Sequence, residues 1–110
     1  MTSRAILVLT TCANAEEAQA LAAELVDHRL AACVNTINGI ASTYRWQGKV
    51  EQGQESLLVI KTTEERLAEL EQVIHERSSY ELPEVLAIKV QAGSAQFLEW
   101  LATSVRDEKE

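Results

Sequence analysis

The chain has 110 residues, 46% hydrophobic and 25% charged. That is enough for one domain, residues 1–110, with its own core and no disulfide scaffold. Its net charge of −7, from 17 acidic against 10 basic residues, argues against a nucleic-acid backbone or an anionic membrane surface as partner, because both are held by basic faces.

The start, MTSRAILVLTTC, lacks the apolar region and cleavage site of a signal peptide, and no apolar run approaches the ~20 residues of a membrane span. Cys12 and Cys33 lie in different elements without C-x-x-C spacing, a usage that suits a reducing cytoplasm. The expectation is a cytoplasmic protein.

Ala5-Ile6-Leu7-Val8-Leu9 is a short continuous apolar run and predicts a strand covered on both faces. Asn14 with Glu17 three residues on is a capping-box pattern. Ala18, Leu21, Ala22, Leu25 and Val26 then recur with helical spacing and predict a helix ending near Leu30.

Residues 32–63 read as a long β-hairpin. Val34, Thr36, Ile37, Ile40, Thr43, Tyr44 and Trp46 supply one arm, and Leu57-Leu58-Val59-Ile60 ends the other. Gly48 permits the reversal, and Asn38-Gly39 and Gln52-Gly53 predict bulges or bends. At about 3.3 Å per residue, an arm from Cys33 to Trp46 reaches about 45 Å. A domain of this size has a radius of gyration near 13 Å. The hairpin therefore either folds back over its sheet or extends past its own domain. An extension would leave open edges and the Tyr44 and Trp46 rings in water, so the expectation is an obligate oligomer with the hairpin tip in the interface.

Thr62 with Glu65 is a second capping-box pattern, and Leu67, Leu70 and Ile74 mark the buried stripe of a second helix. Ser78-Ser79 breaks it. The only proline, Pro83, gives Tyr80-Glu81-Leu82-Pro83-Glu84 an extended or turn form. Val85-Leu86-Ala87-Ile88-Lys89-Val90 predicts a fourth strand. Gly93-Ser94 opens a third helix with Phe97, Leu98, Leu101 and Val105 on one face, and residues 106–110 form a charged, frayed tail. The order β-α-β-β-α-β plus a helix is the ferredoxin-like plan, an α+β sandwich with a long hairpin between its second and third strands.

Several chemistries carried by this fold are excluded. Two cysteines fall short of the four thiolates of an iron–sulfur cluster. The first strand lacks the aromatics of an RNA reader, and there is no phosphate-binding glycine loop. His28 and His75 sit in helices, outside any catalytic motif. Cys12 precedes a helix N-terminus, where a thiol pKa falls; it is a metal or redox candidate or else a structural thiol. Cys33 is a candidate ligand contact or a small buried hydrophobe. Tyr44, Arg45 and Trp46 form a ligand platform or pack an interface. Lys61 either snorkels or pairs with Glu84. Together Lys61, Tyr80 and Glu84 are candidate walls of a polar cleft or a structural hydrogen-bond cluster.

Five segments carry a resemblance: Arg29-Leu30-Ala31-Ala32-Cys33-Val34-Asn35, Tyr44-Arg45-Trp46-Gln47-Gly48-Lys49, Leu58-Val59-Ile60-Lys61-Thr62, Tyr80-Glu81-Leu82-Pro83-Glu84 and Phe97-Leu98-Glu99-Trp100-Leu101. In this order they are similar to CutA, the divalent-cation tolerance family. The resemblance implies a ferredoxin-like homotrimer assembled through its hairpins, linked to tolerance of copper and other divalent metals, with no required cofactor and no firmly attached catalytic activity. The trimer is also similar to that of the PII signalling proteins. The alternative it implies is a sensor taking a small anionic metabolite at inter-subunit clefts lined by Lys61, Tyr80 and Glu84. The family's proposed copper ligands, one Cys and one or two His, align with Thr10, Arg77 and Ser78, which supply neither thiolate nor imidazole. Cys12 with His75 is the substitute pair. An acylphosphatase-like enzyme shares the fold, but no arginine-bearing loop follows the first strand.

Overall fold

The computed structural model describes residues 4–106. The strands are β1 (Ala5–Cys12), β2 (Cys33–Trp46), β3 (Lys49–Thr63) and β4 (Leu86–Lys89). The helices are α1 (Ala15–Asp27), α2 (Leu67–Arg77) and α3 (Ala95–Ser104). The strands form one sheet in the order β2-β3-β1-β4, every pair antiparallel. This is the expected ferredoxin-like α+β arrangement.

Strand alternation separates two unlike faces. Ile6, Val8 and Cys12 of β1 and Leu58 and Ile60 of β3 bury against Ala18, Leu21 and Leu25 of α1 and Leu70 and Ile74 of α2. On the opposite face Leu7, Leu9, Leu57 and Val59 are only half-buried. Coverage there is confined to one end, where Leu101 and Val105 pack on Ala5 and Ala32. The expectation that β1 is covered on both faces therefore fails within one chain: its apolar run is continuous, but helices lie over one side. Phe97, expected on the buried stripe of α3, is 46% exposed.

The helix starts vary in how well they follow local pattern. Asn14 caps α1, its side chain accepting from the Glu17 amide at 2.9 Å, and Ser94 caps α3. α1 ends at Asp27, earlier than expected. Arg29 takes φ +59 and the Leu30 amide donates back to the Leu25 carbonyl at 2.9 Å, a Schellman-type stop. The Thr62 capping box does not form. Thr62 remains in β3 opposite Ile6, and its hydroxyl donates to the Leu30 carbonyl at 2.7 Å in the interior. A 3₁₀ turn, Glu64–Arg66, leads into α2 instead.

The hairpin extends. Its turn places Gln47 at φ +51 and Gly48 at φ +80, the type I′ geometry whose twist suits two strands. β1 stops at Cys12 opposite Ser56, so residues 40–46 and 49–55 run on as a two-stranded ribbon. The molecule measures 46 × 26 × 21 Å, with a radius of gyration of 14.7 Å.

The β2–β3 register slips once, between Ile37–Leu57 and Ile40–Glu55. Three residues advance on β2 against two on β3, a bulge with Gly39 at φ +69. The second expected bulge is absent: Gly53 pairs in register with Ser42. The described residues exclude the charged tail beyond Arg106, so the frayed-end expectation lies outside them.

A Cβ at Gly39 or at Gly53 would meet nothing within 4 Å, so substitution there reports backbone alone. Gly39→Ala is expected to cost about 1 kcal/mol through its left-handed φ, whereas Gly53→Ala is expected to be neutral or to stabilise by up to about 0.5 kcal/mol. Urea midpoints at one protein concentration check both.

Candidate ligand cleft beside the hairpin

The extra residue at Gly39 inverts the alternation of β2. Before it, Cys33, Asn35 and Ile37 point to the open face of the sheet, opposite Lys61, Val59 and Leu57. After it, Ile40, Ser42, Tyr44 and Trp46 point that way, and Glu55 joins them through its pairing with Ile40. These side chains form one wall of a cleft of about 720 Å³, with Thr11 and Leu57 at its base and residues 79–84 as the other wall.

The second wall is fastened to α1. The Ser79 amide and hydroxyl donate to the two Glu17 carboxylate oxygens at 3.1 and 2.8 Å. Arg77 donates to both oxygens of Glu24 at 2.9 and 3.1 Å, a bidentate pairing with defined geometry. These ties deliver Tyr80, whose phenol donates to Glu55 Oε2 at 2.7 Å across the cleft.

Glu55 is the centre of the polar groups. Burial, the largest single influence, pushes its carboxyl up, but hydrogen bonds from Ser42, Tyr80 and Thr11 outweigh that and hold it below the usual carboxylate value. Tyr80 is pushed far up by burial and by its bond to Glu55, so it remains a donor. Glu84 is pushed up by burial and then by the charge of Glu55. No lining charge offsets this: the remaining acidic side chain is Glu81, and the lining includes no Lys, Arg or His.

Of the sequence candidates, Tyr44, Trp46, Tyr80 and Glu84 converge on this cleft. Lys61 and Cys33 do not. They face each other across the ladder on the far side of the bulge. Lys61 places its Nζ 5.8 Å from the Phe97 ring centroid, a cation–π contact rather than a pairing with Glu84. The Cys33 thiol lies 3.8 Å from Asn35 Oδ1. Within one chain, then, Tyr80 and Glu84 share the cleft, and Lys61 lies farther along β3, opposite Cys33.

Cys12 is 2% exposed and belongs to the core. Burial and then Glu17 and Glu55 push its thiol up to about 11, the reverse of the expected activation. His75 lies on the outer face of α2, 3.7 Å from Glu71. One of this pair is inside the fold and the other outside it. Among the described residues no three His, Cys, Asp or Glu side chains converge as a metal site. At the aligned family positions, Thr10 is buried with its hydroxyl unpartnered, Arg77 is engaged by Glu24, and Ser78 accepts from the Tyr80 amide. A hydroxyl, a paired guanidinium and a second hydroxyl do not suit a soft or borderline cation.

Glu55, Ser42 and Thr11 escaped sequence reasoning. The available signal was Glu55 itself, an acid in the row that continues as Leu57 and Val59. Which β2 side chains stand beside that row is decided only by the bulge.

The two carboxyls predict opposite pH effects. The folded pKa of Glu55 is depressed, so its stabilisation is present at neutral pH and lost as pH falls through that value. The folded pKa of Glu84 is raised, so its contribution is present in acid and lost as pH rises through it. Tyr80→Phe is expected to lose about 1–2 kcal/mol at neutral pH and less in acid. Glu84→Gln is expected to be more stable than the native chain at neutral pH and equal to it in acid. Urea unfolding across the pH range at fixed protein concentration measures both.

The model of the CutA1 divalent ion tolerance protein family matches residues 6–104. The chain is similar to the chloroplastic protein CutA of Arabidopsis thaliana, 42% identical over 102 residues, covering 93% of this chain and 56% of the relative. It therefore spans little more than half of that plant protein. It is also similar to the divalent-cation tolerance protein CutA of Thermus thermophilus, 41% identical over 95 residues, covering 86% and 92%. Among solved structures, the divalent cation tolerance protein of Thermus thermophilus aligns with a TM-score of 0.89 at 39% identity, covering 91% of this chain and 97% of that one. CutA1 of Oryza sativa aligns with a TM-score of 0.92 at 40% identity, covering 97% and 98%. The elements that build the sheet, the hairpin and the cleft all lie within the matched stretch, and the chain belongs to the CutA1 divalent ion tolerance family.

Proposed function

We propose that this chain acts as a non-enzymatic homotrimer in the cytoplasmic response to divalent cations, by binding rather than by chemistry. The observation that carries the reading is the open face of the sheet. Leu7 lies opposite Ile88, and Leu9 is flanked by Val59 and Leu86. Ile37 continues the row beyond Leu57. Leu86 is 56% exposed, Ile37 51% and Ile88 48%. A contiguous apolar face of this kind marks an association surface, and the projecting ribbon adds unpaired edges that need covering. Threefold closure is what the family resemblance implies.

The non-enzymatic reading is supported by the family's name and by the state of Glu55. A carboxylate already accepting from three donors, with a lowered pKa, is a poor general base at neutral pH. The cytoplasmic reading is supported by two unpaired cysteines. An anionic metabolite gains no support from the cleft, since Lys61 lies elsewhere and the charged lining is acidic.

Copper ligation at the family's positions is not part of this proposal, because Thr10, Arg77 and Ser78 are the wrong donors. Sedimentation equilibrium is expected to give three times the 12.2 kDa chain mass, with Ile88→Glu shifting the protein toward monomer; a native monomer at micromolar concentration would overturn the assembly. Calorimetric titration of the reduced protein with copper is expected to show no micromolar site that Cys12→Ser abolishes. Such a site, lost in that variant, would restore direct metal binding.

A further inference from the structure

Residues 79–84 are held to the rest of the chain by carboxylates. The ends of the segment are fixed: the Ser78 amide donates to the Ile74 carbonyl at 2.9 Å, and Val85 packs against the core. Between them, among the described residues, 79–84 make no backbone–backbone hydrogen bond and add no side chain to either buried cluster. Apart from a local bond from the Tyr80 amide to Ser78 Oγ, the anchors are Ser79 on Glu17, Tyr80 on Glu55 and, at the end of α2, Arg77 on Glu24. Glu17 and Glu24 belong to α1, on the helix side of the sheet, so these two anchors do not depend on what covers the open face. Each of them accepts through both carboxylate oxygens. A protonated carboxyl turns one of those oxygens into a hydroxyl donor, so each anchor loses a bond, and the Arg77–Glu24 pair loses its charge as well.

We propose that residues 79–84 are an acid-released strap: protonation of Glu17 and Glu24 frees the segment while the helix-covered core stays folded. Glu24 faces Arg77 of α2 and His28 of its own chain end, with Glu76 3.8 Å from the Arg77 guanidinium. Glu17 faces Ser79, with the Cys12 thiol and the Tyr80 phenol within electrostatic range. Glu55 faces Tyr80, Ser42 and Thr11, with Cys12 and Glu84 nearby. The hydrogen bond from Arg77 and, against burial, its charge hold Glu24 below the usual carboxylate value. A depressed folded pKa gives stabilisation that is present above the unfolded value and lost as pH falls through the folded one. Glu84, pushed up by burial and then by Glu55, protonates first and relieves their repulsion, so the strap is tightest just before it lets go. No carboxylate is among the buried side chains of the described residues, so the core has no acid of its own to titrate. The strap also carries Tyr80 onto the open face. Where the inference predicts that release loosens the trimer, it rests on the assembly proposed above; release itself does not.

The test is amide hydrogen exchange of the full chain, corrected for the intrinsic effect of pH, with sedimentation of the same samples. Between about pH 7 and about pH 3.5, protection of the Ser79 amide is expected to fall at least about tenfold. The amides of Val8 and Ile60, paired in the central ladder, are expected to keep theirs, and the sedimenting mass to fall. The double variant Glu17→Gln, Glu24→Gln is expected to show low Ser79 protection already at neutral pH and little further loss in acid. Its helix start is untouched, because Asn14 caps α1 through the backbone amide of Glu17. Should that variant fold poorly, Arg77→Met removes the donor of the Glu24 anchor and should lower Ser79 protection in the same way. Loss of protection at Ser79, Val8 and Ile60 together would mean global unfolding and overturn the proposal. Unchanged Ser79 protection down to the pH at which the chain unfolds would mean that packing or a neighbouring copy holds the segment, and would overturn it equally. A native monomer at neutral pH would overturn the assembly alone, since exchange at Ser79 is read in either state. A trimer that persists after Ser79 is released would overturn the link between strap and assembly.

Discussion

One extra residue in the β2–β3 ladder controls what the hairpin presents. A strand shows alternate residues to opposite faces, so an insertion of one reverses every assignment that follows. Gly39 absorbs that insertion at φ +69, where a side chain would be strained. Without the slip, Ile40, Ser42, Tyr44 and Trp46 would turn away from Thr11 and Tyr80. Ser42 could no longer support Glu55, and the two rings would leave the cleft. Glu55 lies on this face through the alternation of β3, two residues before Leu57, and the slip brings Ile40 opposite it. A single backbone conformation thus couples the outer ribbon to the inner sheet.

The two faces of the sheet are in different energetic states. On the helix side, Leu25, Leu58, Ile60, Leu70 and Ile74 are almost wholly removed from water, and each such side chain contributes roughly 1.5–3 kcal/mol of transfer free energy. That face folds the chain. The other face buries its side chains only where α3 crosses it. Leu9, Val59 and Ile88 are equally apolar but, among the described residues, have no partner layer over them. Function concentrates on this second side, where association and ligand contact compete for the same exposed surface.

The polar groups follow a comparable division. Arg77 with Glu24, and Ser79 with Glu17, are exposed pairings whose net value is small. Their consequence is positional, since they hold the segment carrying Tyr80 and Glu84 against α1. In the cleft, lower access to water makes each hydrogen bond count for more. Glu55 stays ionised because three donors face it, whereas Glu84, close to that charge and partly buried, is driven toward protonation. Two identical side chains thus acquire opposite tendencies from their surroundings. The charge of the cleft depends on pH through Glu84 first.

Features set by neighbours in the chain were legible from the amino acids alone. Asn14 and Glu17 announce the start of α1, the spacing of Leu21 and Leu25 announces its buried stripe, and the β-branched arms around Gln47-Gly48 announce the hairpin. The ferredoxin-like order follows from these, as does the family through its five segments. Tyr44, Trp46, Tyr80 and Glu84 could be named as candidates because amphipathic rings favour interfaces and ligand contacts, and functional groups concentrate on loops. Other assignments depended on partners distant in sequence. Thr62 and Glu65 make a good local cap, but pairing with Ile6 and the Leu30 carbonyl draws Thr62 into β3. Gly53 resembles Gly39 in sequence, yet only Gly39 takes the inserted position. Lys61 lies near Tyr80 in every sequence-based grouping, but the ladder carries it under Phe97. Glu55 acquires its role only from Thr11, Ser42 and Tyr80, supplied by three separate elements. Caps, periodicity and turns are energies of a few adjacent residues and can be read in order. Register and facing are energies of the assembled sheet, where a shift of one residue exchanges inside for outside, and those only the tertiary structure decided.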